Sequence, residues 1–418
     1  MTRTLAEKVS RVRVSLNHTV SRYARVGGLV AAMGTSFAVG VMAFGGGAPA
    51  TADSAGVRVA AAALQPELVA AGTPPGRQMG FVATYFYYAM YQGPEACPQG
   101  MQKIVTSAEF LKQFPQEERD RLLKRENMRE LARLMNEKGK PGINVCREPW
   151  KGDDPNMISL SGDRNDGLNL DGSTSEAPDD GYSCGHKQYI GENNEPGIDN
   201  QYGRLMACTS GTREKGTLTP YFTQVMRDGM WSMLIQISNV DDRRNDPDVT
   251  VDLFAGEDTM VKDPTGNVLA NASLAPKTDP RLHAQLKGRI VNGVLETTPI
   301  SRMLIPDIML TSSFPPMQLD RPRLKLNLLA NGNAKGYLGG YKPIEPTLRS
   351  GGGDAIGEPY TGIPCNGMWW NMQKFADGGR DAKTGKCTTI STAFRIEAIP
   401  AFIVRPDKAP VQTFAKSR

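Results

Sequence analysis

The sequence predicts a mainly β, α+β protein: an antiparallel β-sandwich or partly open barrel with a small helical N-terminal part. Three observations predict it. Glycine and proline are abundant, at 44 and 29 of 418 residues, and only 39% of residues are hydrophobic, the balance of a loop-rich β protein. Asn292-Gly293 and Asn331-Gly332 each stand between short strand-like segments, as hairpin turns do. No βα alternation, GxGxxG or Walker pattern is present, which disfavours a nucleotide-binding fold.

The chain opens on residues 1–52, which read as a signal peptide or N-terminal membrane anchor. Arg3, Lys8, Arg11, Arg13, Arg22 and Arg25 stand against the single acid Glu7, and Val26–Ala52 carries no charge. The apolar run 27–47 has the length of a single membrane-spanning helix, and the small-residue exit Ala48-Pro49-Ala50 suits cleavage. Residues 53–80, rich in Ala, Gly and Pro, read as a linker.

Residues 81–220 are expected to be rich in helices and loops. Phe81–Tyr91 carries six aromatics and reads as a buried strand or helix edge anchoring the core. Thr106-Ser-Ala-Glu109 has capping-box spacing, and Pro115 divides the helical stretch. Leu123, Met128, Leu131, Leu134 and Met135 recur as one apolar face, stopped by Gly139 and Pro141. Residues 221–405 read as antiparallel strands: Trp231–Val240 and Val249–Phe254 around a polar turn, two Asn-Gly hairpins, then Thr388–Ile399 and Ala401–Val404. Residues 406–418 form a C-terminal tail.

Charge and cysteine content bound the function. The chain carries +5, and the first 52 residues account for all of that excess, so the remainder is neutral. A nucleic-acid binder keeps a basic surface, so that class is excluded. All six cysteines follow the leader, an even count that reads as disulfides in an exported protein. Six cysteines allow fifteen pairings; proximity in sequence suggests Cys97–Cys146, Cys184–Cys208 and Cys365–Cys387. The expected location is the periplasm or the exterior, with attachment to the inner membrane through 27–47 if the leader is retained.

Two polar clusters are candidate sites. Asp163, Asn165, Asp166, Asn169 and Asp171 fall within nine residues and supply the oxygen donors that Ca2+ takes. Their spacing departs from an EF-hand loop: Leu168 stands where glycine is required and Thr174 where glutamate is required. The competing reading is Asp-Gly turns in a solvated loop. The second cluster is His186, Asp199 and Arg204, where a histidine beside a carboxylate could act as a general base. Beyond the leader only His186 and His283 remain, which argues against a zinc site built on two or three histidines. Asp241–Asp248 reads as a solvated hairpin tip, and Trp369-Trp370 as packing residues. The chain lacks the Gly-x-Ser-x-Gly elbow of the α/β-hydrolases.

Gly197-Ile-Asp-Asn-Gln201, Leu338-Gly-Gly-Tyr-Lys-Pro343 and Ala393–Phe402 resemble a group of exported proteobacterial proteins to which no activity is attached. The resemblance runs through most of the chain beyond the leader and implies export and one architecture. The function expected is therefore a non-catalytic binding or structural protein with a ligand or protein partner and a calcium-stabilised loop. The alternative is a periplasmic hydrolase or other enzyme using His186, Asp199 and Arg204.

Overall fold

In the computed structural model, the described residues are 77–103, 106–136, 148–216, 218–306, 316–350 and 364–405. The leader, the 27–47 run, most of the linker, Gly139, Pro141, Cys146 and the C-terminal tail lie outside them. Among the described residues no helix is long and apolar enough to cross a membrane.

The strands in chain order begin with β1 (Arg77–Tyr88), β2 (Tyr189–Ile190), β3 (Pro196–Ile198), β4 (Met233–Val240), β5 (Asp246–Ala255), β6 (Ala272–Leu274) and β7 (His283–Val291). They continue with β8 (Val294–Thr297), β9 (Arg302–Ile305), β10 (Met317–Leu328), β11 (Ala334–Pro343), β12 (Gly378–Arg380) and β13 (Cys387–Ile403). Eight of these form one antiparallel sheet in the order β1-β4-β5-β7-β8-β10-β11-β13, and β13 pairs back onto β1. The fold is mainly β, as expected, and of the sandwich and partly open barrel expected it is the barrel that forms, closed through eight strands. Closure leaves no edge among these eight strands. β12 extends β13 and β9 pairs β10, while β6 runs parallel to the end of β13.

Local chemistry explains the hairpins. Asn292 (φ 52°) and Gly293 (φ 79°) both take the left-handed conformation that a tight β7–β8 turn requires. At Asn331-Gly332 only Gly332 has positive φ, and Leu329 and Asn333 close a longer β10–β11 loop. The β4–β5 tip is capped by Asp246, whose carboxylate accepts from the Asp241 and Asp248 amides. The two C-terminal strands expected on either side of Pro400 are one continuous strand, β13.

β1 belongs to the barrel, although it precedes the loop-rich region. Its aromatics anchor the core: Phe86 stacks on Phe394 at 4.7 Å and meets the Trp231 edge at 5.3 Å. The strand begins at Arg77, inside the stretch expected to be linker. The helices are α1 (Thr106–Leu111), α2 (Gln116–Leu122), α3 (Met128–Asn136), α4 (Gln201–Met206), α5 (Leu218–Arg227), α6 (Ile344–Ser350) and α7 (Cys365–Lys374). Phe110, Leu111, Leu122, Leu131 and Leu134 form a small separate core. Leu123 and Met128, expected on that face, are 57% and 49% exposed. The helix breaks between α2 and α3, so positions on the two sides do not share one phase. Trp370 donates to the Gly152 carbonyl at 2.8 Å and Trp369 meets Trp150, fixing α7 to the 149–152 turn.

The disulfides differ from the proximity pairing. Cys97 bonds Cys208 and Cys184 bonds Cys387, across 111 and 203 residues. Cys365 is disulfide-bonded as well, but Cys387 is not its partner. Partners were set by the fold, because the start of β13 passes beside the 160–200 loop. Links across spans this long remove about 4–5 kcal/mol of loop-closure entropy each. They fit an oxidising, extracytoplasmic compartment.

Candidate functional site

The site lies where the 160–200 loop covers the outside of β11 and β13. Outward positions of a barrel strand normally face water, yet Thr389, Ser391 and Ala393 of β13 are all buried. Leu168 and Leu170 pack there on Tyr341 of β11. Asn165 ties the loop to the end of β1: its Oδ1 accepts from the Tyr91 amide at 3.1 Å and its Nδ2 donates to the Asn200 carbonyl at 2.9 Å. Asn200 caps α4 through the Gly203 amide. Gly197 is required between them. Its φ is 81°, and a Cβ there would lie 2.5 Å from Asn169 Nδ2 and the Ser173 oxygen.

Asp199, at the end of the β2–β3 hairpin, is therefore delivered into the interior of this layer. Its Oδ2 accepts from the amides of Leu170 (2.7 Å) and Asp171 (3.0 Å). Its Oδ1 lies 2.7 Å from Nε2 of His186. The other ring nitrogen, Nδ1, lies 2.7 Å from the Cys184 carbonyl, an acceptor only, so Nδ1 carries a proton. A neutral ring would then set an Nε2 lone pair against a carboxylate. The ring resolves this conflict by holding a second proton. Burial opposes that charge, but the Asp199 hydrogen bond, the nearby Asp377 charge and the Cys184 carbonyl outweigh it, raising the His186 pKa to about 9.

Acid outnumbers base here. The side chains of His186, Asp199 and Asp171 are 3%, 0% and 0% exposed. Asp171 Oδ1 accepts from the Ser173 amide, but its buried Oδ2, 3.9 Å from His186 Nε2, has no hydrogen-bond partner. Burial and the Asp199 charge raise the Asp171 pKa to about 6. Asp377 is wholly buried; its Oδ1 accepts from the Ser391 amide at 2.6 Å, and its Oδ2 is unpartnered. Burial raises its pKa to about 7, against the pull of His186. Gln188 presents Nε2 3.0 Å from His186 Nε2 and leaves a buried Oε1 unpartnered. A half-turn of that amide would exchange the two atoms.

Of the residues singled out in the sequence, His186, Asp199 and Asp171 come together. Arg204 does not join them: its guanidinium lies 4.1 Å over the Phe375 ring and reaches Gln201. Asp163, 81% exposed, pairs with Lys187 at 2.8 Å. Asn165 ties the loop to β1, and Asn169 binds the Gly172 amide and Ser173 carbonyl in a local turn. Asp166 is half-buried, with its pKa raised to about 6 by burial and Glu192. Asp163, Asn165 and Asn169 are thus committed to separate partners, and of the acids expected to hold calcium only Asp171 joins a carboxylate–histidine cluster, with His186 and Asp199. Asp377 and Gln188 were missed. Asp377-Gly378 reads as an ordinary turn pair, and nothing in the sequence places it beside β13.

Chemically the cluster can hold a proton or a cation at His186 Nε2. The donor atoms of Asp171, His186 and Asp199 all lie within 4.8 Å of one another. Comparison with known proteins adds no further constraint: no family model, no curated protein and no solved structure matches the chain.

Proposed function

We propose that this is an exported, non-catalytic barrel protein of the periplasm whose covering loop is fixed by a divalent metal ion bound to Asp171, His186 and Asp199. The observation that carries this reading is the orphaned Asp171 Oδ2, buried and turned toward the His186–Asp199 pair. A buried carboxylate oxygen without a partner costs free energy that a cation would recover. Burial also argues against the hydrolase alternative, because a general base must reach its substrate and His186 is 3% exposed. One imidazole nitrogen with two carboxylates suits Zn2+ or Mn2+ better than Ca2+, which takes six to eight oxygens. The loop expected to bind calcium thus contributes one ligand, Asp171.

Metal content and melting temperature test the proposal. Purified protein should carry close to one equivalent of Zn2+ or Mn2+, or take it up after chelation. A metal at about a hundred times its Kd adds about 2.7 kcal/mol, which raises the melting temperature by roughly 5 °C. His186→Ala and Asp171→Asn should abolish that rise. A melting curve unchanged by Zn2+, Mn2+ and EDTA would end the metal reading.

A further inference from the structure

The second histidine beyond the leader, His283, lies at a different place, the outer face of β4, β5 and β7. Strand register sets residues on this face in lateral rows, because side chains alternate with a period of two. Gln236, Asp252 and Gln285 are direct cross-strand partners in one row, and Ser238, Thr250 and Lys287 in the next. They floor a groove of about 520 Å³, within the range of ligand pockets. Outward residues on a barrel are ordinarily well exposed, yet Gln236 and Asp252 are buried. Gln78 of β1 and Arg405, just past β13, wall them in.

The groove is rigid and electrically balanced. Asp252 accepts from His283 (2.8 Å), Gln285 (2.9 Å) and Arg405 (2.5 Å). Arg405 also donates to Gln236 Oε1 at 2.9 Å and lies over the Phe254 ring, on which His283 stacks. Lys287 is paired with Asp248 at 3.1 Å. The acid and the cations that line the groove are thus neutralised; Gln236 donates to Gln78 and Asn239 to Thr250, so what remains for a ligand is the Ser238 and Thr250 hydroxyls and the other ends of the Gln78 and Gln285 amides. β4, β5 and β7 are interior barrel strands, so their backbone groups are occupied and a peptide cannot add as a strand.

We infer that this groove binds a neutral, hydroxyl-rich molecule, a saccharide, laid across β4, β5 and β7. Amides and hydroxyls each donate and accept, as every sugar hydroxyl does, and the Asp252–Arg405 pair holds Gln285 and Gln236 in fixed orientations on the groove floor. The inference is independent of the metal reading, since no residue is shared between the two sites.

Saturation-transfer NMR on the full-length protein tests it, with neutral trisaccharides of glucose, galactose, mannose and N-acetylglucosamine as probes. At least one should bind with millimolar or tighter Kd, unchanged between low and physiological salt. Asp252→Asn and Thr250→Ala should each weaken it roughly tenfold or more, the loss expected for one or two hydrogen bonds. Thr250→Ala removes one hydroxyl and keeps the test alive if Asp252→Asn fails to fold. The inference is overturned if no trisaccharide binds. It is equally overturned if binding survives in folded Thr250→Ala and Asp252→Asn, or if added salt abolishes it.

Discussion

His186 and His283 each lie on an aspartate at nearly the same distance, 2.7 Å from Asp199 and 2.8 Å from Asp252. Their surroundings give the pairs opposite characters. Asp252 faces Arg405 and Gln285 as well as His283, so its charge is fully answered and its pKa is lowered despite burial. His186 faces Asp199 with Asp171 and Asp377 close by, and two carboxylate oxygens are left over. A short His–Asp contact therefore says little by itself. The balance of charge around it decides whether the pair is a neutralised brace or part of an acid-rich cluster.

Removing each aspartate is the severest way to break this comparison. Asp199→Ala strips a sealed imidazolium of its partner and orphans the Leu170 and Asp171 amides. The expected loss is about 3–5 kcal/mol. Asp252→Ala frees Arg405, 37% exposed and able to turn to water, so about 1–2 kcal/mol is expected. Urea unfolding of both variants measures this. Equal losses would mean that the two pairs are energetically alike and the contrast is wrong.

The Cys184–Cys387 disulfide sharpens it next. His186 Nδ1 bonds to the carbonyl of Cys184 itself, so the disulfide fixes the ring as well as the loop. A Cys184→Ser, Cys387→Ser double variant should lose about 4–5 kcal/mol. The metal-induced rise in melting temperature should vanish with it, while saccharide binding in the groove is unaffected. Loss of both activities would show that the two regions are not separate.

Much of the fold was legible because it is local. The Asn292-Gly293 turn is written in two residues that tolerate positive φ, and the aromatic density of Phe81–Tyr88 marks a core strand. Barrel closure was not legible, because pairing Phe81 with Pro400 depends on every strand between them. The disulfides failed for the same reason. His186 and Asp199 do meet, but not through the Cys184–Cys208 link that proximity in sequence suggests. What brings them together is the β2–β3 hairpin, with Cys184 held to β13. Asp252 and Arg405 drew no attention at all. Their residue types are ordinary, and only strand register makes them neighbours.

The finest discrimination comes from pH. Asp377 is raised from 3.8 to about 7, so the folded state favours its neutral form. Its stabilising contribution is present at low pH and is lost as pH climbs from about 4 through 7. His186, raised from 6.5 to about 9, adds a contribution that is complete below 6.5 and lost as pH rises through 9. Asp252, lowered from 3.8, works the other way: its contribution is present above 3.8 and lost as pH falls through its folded value. With metal chelated, stability should therefore decline from pH 6 to 9 because of the first site alone. Asp377→Asn keeps an acceptor for the Ser391 amide and removes the buried charge, so the variant should be about 1 kcal/mol more stable than the wild type at pH 8. Unfolding midpoints across pH 6–9 decide it: a variant no more stable at pH 8 would mean that Asp377 is already neutralised by its neighbours.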